Sequence, residues 1–308
     1  MQEIQYIDRV SGKICQEKVF AGGWLRLMYG DSLFSRGPGR LMAKVVAGSP
    51  WISRVAGWYQ RRSWTRRQIS RFVKDYTLDT KEFADEIDSF ANFNAFFCRR
   101  LREEVRPIAN GEDVAIIPAD GRYRFFPNVS ENQWFDIKGR RLSLAGLLQD
   151  ESLAKLYREG TLVLARLCPT DYHRFHFPVD SLPGSSYQIP GTLFSVNPWA
   201  LRQKMDIFSQ NRRQITQLST KEYGKVLMVE IGATCVGTIH QTFIPGQPYR
   251  KGAEKGYFSF GGSALALLFE PERLQLAHDL QSLSGRELEI RCLMGQPLGH
   301  LVNPLRKH

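Results

Sequence analysis

Beyond Arg106-Pro107 the chain is divided into short apolar and β-branched runs separated by turn residues, a texture that excludes long helices there. The runs Val114–Ile117, Arg122–Phe126, Trp134–Lys138, Thr161–Leu167, Lys225–Ile231, Cys235–Phe243, Ala264–Phe269 and Glu287–Leu293 are expected to be strands. The part before residue 106 reads differently. Ser49-Pro50 has the form of an N-cap followed by proline at the first helical position, and Trp51, Ile52, Val55, Trp58 and Tyr59 then recur on one helical face. Trp64, Ile69, Phe72, Val73 and Tyr76 suggest another helix, and Phe83, Phe90, Phe93, Phe96 and Phe97 a third, more acidic one over residues 80–101. The expected fold is α+β, with N-terminal amphipathic helices followed by a mostly antiparallel β core that carries the catalytic chemistry. The expected domains are a helical, membrane-associating region, 1–105, and a β-rich catalytic region, 106–308.

A chain of 308 residues can bury a substantial core as one large domain or two. Cys15, Cys98, Cys168, Cys235 and Cys292 are odd in number, widely spaced and without a C-x-x-C pair. That pattern argues against a disulfide framework or a zinc site and fits a reducing compartment. The first twenty residues mix Glu3, Asp8, Arg9, Lys13, Glu17 and Lys18, so no signal peptide is expected, and no run is apolar enough to span a membrane.

The net charge of +11 is concentrated. Between Asp31 and Asp75 no acidic residue occurs, while Arg36, Arg40, Lys44, Arg54, Arg61, Arg62, Arg66, Arg67, Arg71 and Lys74 do. Interleaved with Trp and Tyr, these charges suit an interfacial anchor on anionic lipid. An ordinary packing layer with a solvated basic face explains the same pattern. A nucleic-acid surface is disfavoured, because no helix-turn-helix, zinc-finger or RNA-binding signature accompanies the charge.

Gly261-Gly262-Ser263 lies between Gly256-Tyr257-Phe258-Ser259-Phe260 and Ala264-Leu265-Ala266-Leu267-Leu268-Phe269, flanks that read as buried strand rather than flexible linker. Bare glycine backbone allows unusual geometry and close approach. A serine hydroxyl there, given a base, can attack a carbonyl, and the nearest is that of Gly262. Asp120, in Pro118-Ala119-Asp120-Gly121, is by itself a common turn. His173 and His176, in Asp171-Tyr172-His173-Arg174-Phe175-His176, would face opposite sides of a strand unless a local turn brings them together. Each histidine also reads as a structural one, and no further ligands accompany the pair to make a metal site. An Asp, a His and a Ser are thus available for a relay, without the G-x-S-x-G elbow of the α/β-hydrolases.

These motifs, in order along nearly the whole chain, resemble the phosphatidylserine decarboxylases. The resemblance includes Tyr6-Ile7-Asp8-Arg9, Phe93-Asn94-Ala95-Phe96-Phe97 leading to Arg99 and Arg106-Pro107, and Pro118 to Gly121. It continues through Tyr172 to His176, Leu193-Phe194-Ser195-Val196-Asn197, Val229 to Gly237, and Lys251 to Ser263. Two positions depart from the frequent pattern: Ala264 stands where threonine often follows the serine, and Asp180-Ser181 where Asp-Gly is common.

The resemblance implies that His176, oriented by Asp120, takes the proton of Ser263. The chain then cuts itself between Gly262 and Ser263 into chains 1–262 and 263–308, which remain together as a heterodimer. Ser263 becomes a pyruvoyl group that forms a Schiff base with phosphatidylserine and draws off electrons as carbon dioxide leaves, giving phosphatidylethanolamine. His173 is implied as proton donor or substrate contact. No external cofactor, metal or nucleic acid is implied, and the expected location is peripheral, on the cytoplasmic face of the cell membrane. The competing readings are a serine hydrolase with an intact chain, a non-catalytic β module, and a pyruvoyl enzyme acting on a soluble amino acid.

Overall fold

The computed structural model describes residues 4–18, 49, 55, 57–129, 143–203, 207–233, 238–261, 263–286 and 288–302. In chain order its strands are β1 (Gln5–Asp8), β2 (Ile14–Gln16), β3 (Val114–Ile116), β4 (Gly121–Phe126), β5 (Thr161–Leu167), β6 (Arg174–His176), β7 (Leu182–Pro183) and β8 (Tyr187–Ile189). They continue with β9 (Arg213–Ser219), β10 (Lys225–Gly232), β11 (Ile239–Gln241), β12 (Glu254–Phe258), β13 (Ser263–Phe269), β14 (Leu274–Leu276), β15 (Glu289–Cys292) and β16 (Pro297–Leu301). The main sheet runs β2-β1-β15-β4-β5-β13-β10-β9-β7, with β8 also on β9; β11-β12-β6 and β14-β16-β3 form two small sheets. Its pairings are antiparallel except β1 with β15.

β13 lies inside the main sheet, between β5 and β10, and every residue of it is buried. Successive side chains of a strand point to opposite faces, and both faces here are covered. Ala264, Ala266 and Leu268 enter one core with Leu162, Leu164, Leu227 and Val229. Leu265, Leu267 and Phe269 enter the other with Val163, Ala165, Val226 and Met228. That is why the run SALALLF reads as continuously apolar rather than alternating. The first core is closed by the short helix Leu144–Leu148 and the residues around Ile207–Gln210. The second is closed by the small sheets, through Phe175 and Phe258, and by the helix His278–Ser284, through Leu280.

A third, aromatic cluster joins helix α1 (Arg67–Tyr76) to helix α2 (Phe93–Phe97). α1 buries Ile69 and Phe72 and stops at Thr77, whose φ of 52° lies in the left-handed region. α2 starts at Asn92, whose side chain accepts from Ala95 N–H, and Thr65 Oγ1 takes Phe93 N–H at 3.0 Å. Phe260 completes this cluster from the segment just ahead of Ser263.

The α+β class expected from sequence holds. The third helical region is mostly short 3-10 turns at Thr80–Glu82 and Ile87–Ser89, with α2 as its one α-helical stretch. Residues 5–16, inside the part expected to be helical, instead form β1 and β2. Ile7 is buried, and Arg291 and Asp279 hold Asp8 and Arg9 at 3.0 and 2.6 Å, so this segment extends the main sheet. The helix expected from Ser49-Pro50 falls largely outside the described residues, although 57–60 are helical; Trp134–Lys138, Cys235 and Gly262 also lie outside them.

Candidate active site

Ser263 is the first residue of β13, paired across to Gly232 on β10 and Leu167 on β5. The chain reaches it from β12, which belongs to a small sheet, so residues 259–261 carry the strand from one layer to the next. Gly261 makes that passage with a φ of 137°, a conformation that residues with a Cβ rarely adopt. Ser263 is fully buried where it arrives.

His173 is there to meet it. Its Nδ1 lies 3.2 Å from Ser263 Oγ, and its Nε2 lies 2.9 Å from the carbonyl oxygen of Cys168. A carbonyl only accepts, so Nε2 carries the proton and Nδ1 presents a lone pair to the serine hydroxyl. The Cys168 carbonyl therefore sets the tautomer, a task a carboxylate performs in the Ser-His-Asp relay. Cys168 is itself fixed: Asp171 N–H also donates to its carbonyl at 2.8 Å, and Asp171 Oδ2 accepts its N–H at 2.7 Å. Arg122 anchors Asp171 at 2.6 Å. Burial alone would raise the Asp171 carboxyl, but Arg122 and the Cys168 N–H hold it below its usual range.

The His173 ring is wholly buried and stacked on Phe97, with centroids 3.9 Å apart and planes at 28°. Burial pulls its pKa down to about 3, against a smaller upward pull from Asp171. The imidazole is therefore neutral across the physiological range, in the state that can accept a proton.

His176 and Asp120 have other partners. His176 Nδ1 donates to Gly252 O at 3.0 Å, which leaves Nε2 to accept from the Tyr172 hydroxyl at 3.3 Å. Burial lowers its pKa, while the Gly252 carbonyl, Glu254 and Asp120 pull upward. Asp120 accepts Met294 N–H at 2.8 Å and is gripped by Arg106, at 2.7 Å from Nη2, which also holds Glu82 at 3.0 Å. Of the expected site residues, the structure brings Ser263 and His173 together. It places Asp120 near enough to His176 to act on its charge, without a hydrogen bond between them. His173 lies just before β6 and His176 is its last residue, and the two have separate partners: Ser263 and Cys168 for His173, Gly252 and Tyr172 for His176.

Sequence reasoning missed the Cys168 carbonyl, because any residue supplies one, and the Phe97 stack, although Phe97 stands in a motif noted for resemblance. Among the described residues no cluster of three or more His, Cys, Asp or Glu side chains is arranged to hold a metal ion.

Residues 93–300 match the family model described as phosphatidylserine decarboxylase. A phosphatidylserine decarboxylase proenzyme of Chlamydia pneumoniae is 46% identical over 299 residues, spanning 97% of this chain and 98% of its own length. Proenzymes of the same name from Chlamydia caviae and Chlamydia trachomatis are 45% and 42% identical over 299 and 298 residues, again 97% of this chain.

Proposed function

The chain belongs to the phosphatidylserine decarboxylase family, and we propose that it is a proenzyme that cuts itself between Gly262 and Ser263 and then decarboxylates phosphatidylserine to phosphatidylethanolamine. The observation that carries this reading is the hydrogen bond from buried Ser263, directly after two glycines, to a tautomerically fixed, neutral His173.

In the first reaction His173 Nδ1 receives the Ser263 hydroxyl proton as Oγ attacks the Gly262 carbonyl carbon. The amide nitrogen leaves and takes a proton, and the peptide bond becomes an ester. A base then removes the Ser263 α-hydrogen, and the Cβ–Oγ bond breaks. Gly262 departs as a carboxylate, and residue 263 is left as dehydroalanine. Tautomerisation, addition of water and loss of ammonia leave a ketone at the new N-terminus. The surroundings of Ser263 fit the pyruvoyl group: a short residue, a base at its Oγ, and glycine on the departing side. That group supplies an electron sink for the loss of carbon dioxide. His173, 3.2 Å from Ser263 Oγ in the uncut chain, is the proposed donor that would return the proton to the substrate carbon.

A second reading, favoured by the influence of Asp120 on His176, keeps the relay implied by the family resemblance. There His176 is the base, oriented by Asp120, and His173 serves decarboxylation alone.

The two products are proposed to stay together as a heterodimer. β13, β15 and β16 of chain 263–308 pair with β5, β10, β4, β1 and β3 of chain 1–262, which supports this. Contact with an anionic membrane, on the cytoplasmic face, is proposed for the basic aromatic layer. Trp58 and Trp64 are each about half exposed, with Arg62 over the Trp58 ring at 4.0 Å. No helix among the described residues is long and apolar enough to cross a membrane.

Intact mass tests the reading. Two chains divided after Gly262, summing to about 1 Da above the precursor, mean that water was gained and ammonia lost. A sum about 18 Da higher means plain hydrolysis, and an uncut chain with a functional serine favours a hydrolase or a binding module.

A further inference from the structure

Helix α2 contacts both His173 and the segment just ahead of the proposed cut. On one side Phe97 stacks on the His173 ring. On the other, Asn94 Oδ1 accepts the main-chain N–H of Phe260 at 2.9 Å, across 166 residues of sequence. The Phe260 ring sits edge-on to Phe93 and Phe97, with centroids 5.4 and 5.2 Å away. One residue past the helix, the Cys98 thiol donates to Phe258 O at 3.4 Å, and Phe258 N–H donates to the carbonyl of His173 at 3.0 Å. The helix is itself secured by Asn92 and Thr65 at its N-terminus.

The two residues that follow Phe260 are glycines. Glycine opens more backbone conformations than any other residue, and Gly261 already occupies one that side chains disfavour. Attack on a carbonyl needs the reacting atoms about 3–3.5 Å apart and aligned, and a misplacement of about 1 Å costs on the order of 100-fold in rate. A diglycine hinge cannot supply that placement alone. The Phe260 N–H, immediately ahead of the two glycines, is held by the Asn94 side chain.

We propose that Asn94 is a positioning residue for self-cleavage: its amide oxygen fixes Phe260 N–H, and through it the carbonyl that Ser263 attacks, relative to His173. This rests on the proposed self-cleavage at Gly262–Ser263. Asn94 touches neither reacting atom, so the proposed role is exerted through the backbone of residues 260–262.

The test compares wild type, Asn94→Ala and Asn94→Asp, the last keeping an acceptor oxygen at the same place. Conversion of precursor into chains 1–262 and 263–308 is followed over time by intact mass. Melting temperature is measured with each change introduced into an uncleavable Ser263→Ala chain, so that precursors are compared with precursors. Expected are maturation slowed about 10–100-fold in Asn94→Ala, rescue to within a few-fold of wild type in Asn94→Asp, and similar melting temperatures. Wild-type maturation of Asn94→Ala would overturn the proposal. So would equal slowing of both variants with matching losses of melting temperature, which would mark Asn94 as a packing residue. Should Asn94→Ala fail to fold, maturation of Asn94→Asp decides: near-wild-type speed supports the proposal and a loss as large as that expected for alanine overturns it. A wild-type chain that stays whole removes the self-cleavage reading itself and takes this proposal with it, an outcome separate from the others.

Discussion

Arg106 binds the carboxylate of Asp120 from within the fold, with Nη2 2.7 Å from Oδ2 and Nε 3.0 Å from Oδ1, and both side chains are buried. Met294 N–H takes a further place on Oδ1. This joins the Pro118–Gly121 turn, the end of the helical layer and the segment after β15. Removing one member of a buried pair leaves the other poorly compensated. Asp120→Asn is therefore expected to lower stability by on the order of 3 kcal/mol, read as a fall in melting temperature of an uncleavable Ser263→Ala chain. An Asp120→Asn protein of native melting temperature that never matures would instead support the relay through His176.

The histidines separate by maturation. His173→Ala is expected to accumulate as full-length precursor, and His176→Ala to yield both chains, as read by denaturing gel and intact mass. The reverse pattern would remove His173 as the base at Ser263 and return that role to His176.

Acid should weaken the fold in a definite window. His173 has a folded pKa of about 3 against a usual 6.5, so between these values the unfolded chain binds the proton and the folded chain does not. The stability it contributes is complete above about 6.5 and is lost as pH falls toward about 3. His176, also lowered by burial, acts with the same sign. In the Ser263→Ala background, His173→Gln should flatten the dependence of melting temperature on pH across this window. An unchanged slope would show that His173 is not buried in its neutral form.

Lys255 on β12 and Glu230 on β10 are both fully buried, with Nζ 2.8 Å from Oε1, and Thr216 and Gln241 complete the lysine's bonds. Lys255→Met alone is expected to cost about 3–5 kcal/mol by leaving Glu230 without its cation. The double change Lys255→Met, Glu230→Gln should cost less than the two single losses summed, as measured by denaturant unfolding. Additive losses would mean that the pair is not coupled.

Trp58→Ala with Trp64→Ala is expected to reduce co-sedimentation with vesicles containing phosphatidylserine while leaving the rate of self-cleavage unchanged. Undiminished binding would place the lipid contact elsewhere.

Ser263 and β13 are legible in sequence because a diglycine step into a fully apolar run has few other uses, and the run states its own burial on both faces. The distinction between His173 and His176 is not legible. It depends on which side of β6 faces β13, a matter of tertiary register rather than of local pattern. The partner that orients His173 is a main-chain carbonyl, and a carbonyl leaves no mark in a sequence. Likewise β1 and β2 carry too few apolar residues to announce themselves; β1 pairs with β15, nearly the whole chain away, and β2 pairs with β1.

β13 is held on both edges and both faces, and Ser263 is its first residue. The serine reaches His173 only when that strand has been seated between β5 and β10. On the proposed self-cleavage, a chain that stalls before this point would keep an ordinary serine and have no means of acting on a substrate. Maturation would then work as an inspection: a catalytic group could be born only in a molecule that has already finished folding, and the cut would remain as a permanent record that it did.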